Sequence, residues 1–120
     1  MSEPIEDEIE AKSLGAPRLT PADIEANIAS EHYFMASDAI QHDKSVHVMP
    51  DGGWLLGNTQ LMTLCVIQLR NGFVVTGESA CLCPENFDAE IGRTVARANA
   101  VQKIWPLMGY SWRAALSKGA

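Results

Sequence analysis

Long apolar runs, an excess of basic charge and recognisable catalytic signatures are all missing from this sequence, and each absence narrows what the protein does. No stretch approaches the roughly 18 to 20 uncharged apolar residues of a membrane-spanning helix. The first ten residues are acidic rather than basic and then apolar, so neither membrane insertion nor secretion is expected. Nine Lys and Arg stand against 15 Asp and Glu, a formal net charge of −6, and such a chain repels a phosphate backbone. General nucleic-acid binding is therefore not expected.

Cysteine is scarce too. Cys65, Cys81 and Cys83 cannot all pair within one chain, and the Cys-x-Cys spacing is awkward for a disulfide inside a strand, so reduced thiols in a cytoplasm are expected. The closely spaced cysteine pair of a structural zinc site is absent, His32, His42 and His47 are scattered, and neither a metal nor a cofactor is expected. There is no Walker-type glycine loop, no zinc-protease histidine pair and no serine nucleophile in a strand-turn-helix setting. An enzyme is thus the least supported class.

What is present fits one small domain. The chain has 120 residues, 47% of them apolar, enough for one hydrophobic core and too few for two. Residues 1–18 are polar and broken by Pro4, Gly15 and Pro17, with Glu3, Glu6, Asp7, Glu8 and Glu10 crowding the start. They read as a flexible, solvated acidic leader, with a decoy for a basic partner as the sharper alternative. Residues 19–120 form the single domain.

Thr20-Pro21-Ala22-Asp23 has the features of a helix start, with Thr20 as N-cap, Pro21 in the first turn and Asp23 returning a capping-box hydrogen bond. Ile24 and Ile28 give this short helix a buried stripe, and the aromatic run His32–Ala36 suits either a helix continuation or a strand, with the helix expected to end near it. Residues 41–58, with Met49-Pro50-Asp51-Gly52-Gly53, read as a long loop.

Thr63–Leu69 is apolar on both alternating faces, Asn71-Gly72 is the preferred type I′ turn pair, and Phe73–Thr76 resumes the β-branched pattern. A β-hairpin is expected, its first strand central in a small antiparallel sheet or covered on its second face by another subunit. From Pro84-Glu85 onward, Phe87, Ile91, Val95, Ala98, Val101, Trp105 and Met108 recur at helical spacing, predicting a helix of about 20 residues with that face on the hairpin. Pro106 should kink or end it, leaving Leu107, Trp112 and Leu116 on a shorter terminal piece. Trp54, Trp105 and Trp112 are expected in the core or at subunit contacts. The fold class is α+β: a short N-terminal helix, a central hairpin in a small antiparallel sheet and a long C-terminal helix packed on it.

Polar residues gather where the hairpin meets the long helix, and free backbone N–H groups at a helix start favour anions there. The candidate ligand-binding residues are Glu78, Ser79, Asn86, Glu90, Arg93 and Arg97. Glu90 and the two arginines either pair among themselves as exposed ion pairs or hold an anion such as a phosphate. In the second case, replacing Arg97 or Ser79 by alanine should remove ligand binding and leave the fold intact.

The segments LTPADIEANIASEHYF, LRNGFVVTGESAC and CPENFDAEIGRTVARANAVQKIWPLMGY resemble the family of small tailed-phage and prophage proteins catalogued after phage gene products forty-nine and sixty-six. The resemblance covers Leu19–Phe34 and Leu64–Tyr110 and marks Glu31, His32, Tyr33, Gly77, Glu78, Ser79, Asn86, Phe87, Glu90, Arg97 and Trp105 among others. Residues 41–59 and Cys83 depart from the pattern.

The resemblance carries no established activity. Together with the small size, the acidity and the lack of a catalytic signature, it points to a non-catalytic accessory protein of the host bacterial cytoplasm that binds a host or phage protein, for example to counter a defence system. The alternative is a protein that sequesters a nucleotide-like anion, and an enzyme of unknown type comes third. A homo-oligomer, favouring a dimer, is expected from the two apolar faces of the first hairpin strand.

Overall fold

The computed structural model describes residues 18–53 and 55–119; the acidic leader up to residue 17, and Trp54, lie outside the described residues. Helix α1 (Pro21–Ala26) leads into strand β1 (Ile28–Met35), and a five-residue helix α2 (Ala36–Ile40) follows. A long connection then ends in the 3₁₀ turn Gly57–Leu61 and enters β2 (Met62–Leu69), which returns as β3 (Val74–Ala80). A second 3₁₀ turn, Pro84–Asn86, precedes α3 (Ala89–Gly119). The three strands form one antiparallel sheet in the order β1-β2-β3, and α3 packs across β3 and β2. The α+β architecture is the expected one, with β2 in the centre.

The capping box of α1 forms as its sequence predicts. The Asp23 N–H donates to Thr20 Oγ1 at 3.2 Å, and the Thr20 N–H donates to Asp23 Oδ2 at 2.9 Å. The helix is shorter than expected, however: it stops at Ala26, and His32–Met35 belong to an edge strand. Pairing with β2 decides this segment, because Tyr33 opposite Cys65 and Phe34 opposite Leu64 satisfy both backbone and side chains in a way a solitary helical turn cannot. Ile24 and Ile28 are both buried, one from the helix and one from the strand. The Arg70 N–H donates to the Asn27 carbonyl at 3.0 Å and its Nε donates to the Ala26 carbonyl at 3.1 Å, tying the end of α1 to the hairpin tip.

The hairpin turn differs from the expected type I′ pair. Among the described residues none other than glycine has positive φ, Gly72 lies at φ +93°, and the Gly72 N–H donates to the Leu69 carbonyl at 2.9 Å. The loop is therefore the three-residue kind, Arg70-Asn71-Gly72, closed by the Leu69 N–H to Phe73 carbonyl bond of 2.8 Å, with the left-handed residue last. Asn71 serves it through its side chain, accepting from the Phe73 N–H at 3.0 Å.

Two features of α3 correct the sequence reading. It starts at Ala89 rather than at Pro84-Glu85, and it runs 31 residues through Pro106 without a break, a length of about 46 Å. Its sheet-facing side is also not the Ile91, Val95, Ala98 stripe. The residues buried against the sheet are Gly92, Ala96, Ala100 and Ile104, while Ile91 is 62% exposed and Val95 40%. Val101, Trp105 and Met108, from the expected stripe, do pack on the core from its margin.

Small residues win this face because the backbones come very close. A Cβ on Gly77 of β3 would run into the Ala96 carbonyl and the Ala100 N–H and would lie 2.9 Å from the Ala100 Cα. One on Gly92 would lie 2.6 Å from Thr63 Oγ1. Bulky side chains at 92, 96 or 100 would push the helix off the sheet, and only at Ile104 does the gap admit one.

Candidate functional site

The sheet pleat sends alternate residues of β1 toward α3. Opposite the inward-facing Ile67 and Cys65 of β2 stand Glu31 and Tyr33, so an acid and a phenol face the helix where apolar residues would be the rule. Arg97 of α3 meets them. Its Nε donates to Glu31 Oε1 at 3.0 Å and its Nη2 to Glu31 Oε2 at 3.1 Å. Nη2 also donates to Glu25 Oε1 at 2.7 Å and Nη1 to Glu25 Oε2 at 3.1 Å. The Tyr33 hydroxyl donates to Glu31 Oε1 at 2.6 Å.

One guanidinium thus forks onto two carboxylates, one from α1 and one from β1, and ties α3 to elements 72 and 66 residues earlier. The Arg97 side chain is 29% exposed and that of Glu31 32%, so the cluster is only partly screened by water. Hydrogen bonds from Arg97 and then from Tyr33 hold the Glu31 carboxyl below its ordinary range. The same contacts push the Arg97 pKa further up, bonding to Glu31 contributing most and to Glu25 next. Tyr33 is raised by burial and then by its bond to Glu31, and Cys65 behind it is raised by burial. A buried thiol with a raised pKa is poorly nucleophilic, so Cys65 reads as core.

Two hollows open beside this cluster and share Tyr33 and Arg93 as walls. The larger, about 520 Å³, is also lined by Glu90, Thr94, Arg97 and Ala98. The smaller, about 260 Å³, lies toward the start of α3 and is lined by Met35, Asp38, Thr63, Phe87 and Ala89 among others. Four of the five Arg97 N–H donors are spent on Glu25 and Glu31. Arg93, one turn earlier, has no hydrogen-bond or ion-pair partner among the described residues, and its five donors are free.

Of the six residues singled out from sequence, Glu90, Arg93 and Arg97 come together here. Glu78, Ser79 and Asn86 do not line either hollow. Glu78 and Ser79 lie on β3 at the opposite edge of the sheet, where the Glu78 carbonyl accepts from Asn99 Nδ2 at 2.8 Å. The Asn86 N–H closes the 3₁₀ turn onto the Cys83 carbonyl at 3.1 Å. Arg97 is ion-paired with Glu25 and Glu31 rather than with Glu90.

Comparison with known families matches residues 19–116 to the phage protein (N4 Gp49/phage Sf6 gene 66) family. The chain belongs to that family. The match bears out the resemblance read from the three sequence segments, and its span contains every residue of the Arg97 cluster and of both hollows. No curated protein and no solved structure matches the chain.

For a member of the Gp49/gene 66 family, the features sequence reasoning had not joined to the site are Glu25, Glu31, Tyr33 and Phe87. Tyr33 and Phe87 were among the positions marked by resemblance, but Glu25 carried no signal, being 72 residues from the arginine it binds. No group of three metal-ligating side chains occurs among the described residues, and no helix among them is long and apolar enough to cross a membrane.

Proposed function

We propose that this phage protein acts by holding a ligand without converting it, and that the ligand is a small anion of the nucleotide class. The observation that carries this reading is the pair of hollows joined at Tyr33 and Arg93. The larger, about 520 Å³, is of the size that small ligands occupy, and the charged and hydroxyl side chains of Glu90, Arg93, Thr94 and Arg97 converge on it; the smaller, about 260 Å³, extends it with the apolar Phe34, Met35 and Phe87.

Two aromatic rings, Tyr33 and Phe87, offer faces to a base. The free fork of Arg93 offers bidentate bonds to a phosphate beside the start of α3 at Ala89. Arg97 contributes at most its one remaining N–H and otherwise holds Tyr33 and Glu31 in position. In a phage, capture of a signalling nucleotide would blunt a host defence that depends on it.

Arg93→Ala is the clean probe, because it leaves the Arg97 cluster intact. In a panel of mono-, di- and cyclic nucleotides, at least one is expected to stabilise the protein by about 2.7 kcal/mol at a hundredfold excess over its Kd, with no stabilisation of Arg93→Ala. A panel with no effect on the unmodified protein would overturn the reading.

A second reading, association with a host or phage protein, is favoured by the face of the sheet turned away from α3. There Leu64 and Val66 are half-buried and Val74 is 46% exposed, with no helix of the described residues over them. A Val66→Lys change that abolishes recovery of a partner from infected cells, while leaving nucleotide-induced stabilisation intact, would favour it.

A further inference from the structure

The apolar stripe of α3 that the sheet does not use has a spacing of its own. Ile91, Val95, Ala98, Gln102, Trp105, Gly109, Trp112 and Leu116 follow one another at alternating steps of four and three. Steps of four and three keep these positions on one flank of the helix, as the seam of a helix pair requires; six of the eight are apolar, with Gln102 and Gly109 among them. The stripe is open to solvent: Ile91 is 62% exposed, Val95 40% and Leu116 53%, Ala98, Gln102 and Gly109 are exposed, and Trp105 and Trp112 are half-buried at its border. A Cβ on Gly109 would meet nothing within 4 Å, so no part of the described chain covers that point.

We propose that this stripe docks a second copy of the chain, α3 against α3, antiparallel about a two-fold axis between Gln102 and Trp105. In that register Ile91 meets Leu116 of the second copy, Val95 meets Trp112, and Ala98 meets Gly109. Large residues thus close both ends, and two small ones let the backbones approach between them.

Charge selects the direction. Asp88 and Glu90 stand at the start of α3 and Arg113 and Lys118 near its end. Antiparallel pairing brings each acidic end to a basic one and opposes the helix dipoles, whereas parallel pairing stacks Arg113 on Arg113 and Lys118 on Lys118. The contact is isologous, so it closes at two copies. The smaller hollow at Phe87 lies off this stripe, whereas Ala98 also lines the rim of the larger hollow, so the two surfaces adjoin there.

The test is the solution mass of the full chain by sedimentation equilibrium at about 100 µM, where association is governed by chain concentration. The expected mass is twice the 13.0 kDa of one chain. Val95→Glu is expected to raise the dissociation constant by about 100-fold or more, because two-fold symmetry buries the unpaired carboxylate twice. Its far-ultraviolet circular dichroism should be unchanged, since Val95 does not face the sheet.

Direction is read by disulfide trapping with Cys81 and Cys83 replaced by serine. Chains carrying both Ala98→Cys and Gly109→Cys should cross-link as dimers, and chains carrying Ala98→Cys alone should not. A monomer at that concentration, a dimer indifferent to Val95→Glu but broken by Val66→Glu on the open sheet face, or cross-linking by Ala98→Cys alone would each overturn the proposal.

Discussion

Gly77→Ala is expected to cost about 4 kcal/mol or more, a large share of the stability of a domain this size, and to leave little folded protein at 37 °C. The added Cβ would collide with backbone on both sides, the Ala96 carbonyl and the Ala100 N–H, and neither can rotate away. The helix must instead lift from β3, opening the contacts of Val75, Cys65 and Ile67 with Ala96, Ala100 and Ile104, which are the centre of the core. Gly92→Ala is the internal control. Its Cβ meets a side chain rather than backbone, Thr63 Oγ1 at 2.6 Å and Cβ at 3.5 Å, and alanine is favoured over glycine within a helix by about 1 kcal/mol, which offsets part of the cost of moving that hydroxyl. Urea melts of the two variants should therefore separate by several kcal/mol, and equal losses would show that close helix-sheet approach is not what holds the fold.

Arg97→Met is expected to destabilise the protein by about 2 to 3 kcal/mol, the range for losing several charge-assisted hydrogen bonds at a partly exposed site, and to change its acid sensitivity as well. Without the guanidinium, Glu25 and Glu31 face each other unpaired, and Tyr33 loses the support of a fixed acceptor. In the folded protein the Glu31 carboxyl lies below its ordinary value of 4.5, so the unfolded chain binds the proton more readily. The stability this supplies is complete above about pH 5 and is lost as pH falls through the folded value. The unmodified protein should accordingly weaken along that acid limb, and Arg97→Met should show a flatter one. If the two stability-pH curves run parallel below pH 5, the Arg97 cluster is not stabilising.

The architecture was legible in the sequence wherever local chemistry decides structure. The Thr20 capping box, the β2-β3 hairpin and the long helix each follow from residues within one or two turns of one another. Strand β1 was obscured because its alternation is broken: Glu31 occupies an inward position that becomes acceptable only when Arg97, 66 residues later, arrives to pair with it. The orientation of α3 was misread for a related reason. Apolar periodicity points to the largest residues, whereas the sheet accepts the smallest, and that preference is set by Gly77 on another element. At the site, Glu90, Arg93 and Arg97 were found by their spacing on one helix, but spacing could not reveal that Arg97 is committed to two carboxylates while Arg93 is not. Because Arg97 is committed to Glu25 and Glu31, Arg93 is the cleaner probe of the ligand reading.

Native mass spectrometry of the protein purified gently from infected cells, beside Arg93→Ala prepared in the same way, tests the ligand-holding account most directly. The account predicts an added mass in the nucleotide range on the unmodified protein and none on Arg93→Ala, with both chains equally folded. A ligand-free unmodified protein, or the same added mass on both, would contradict it.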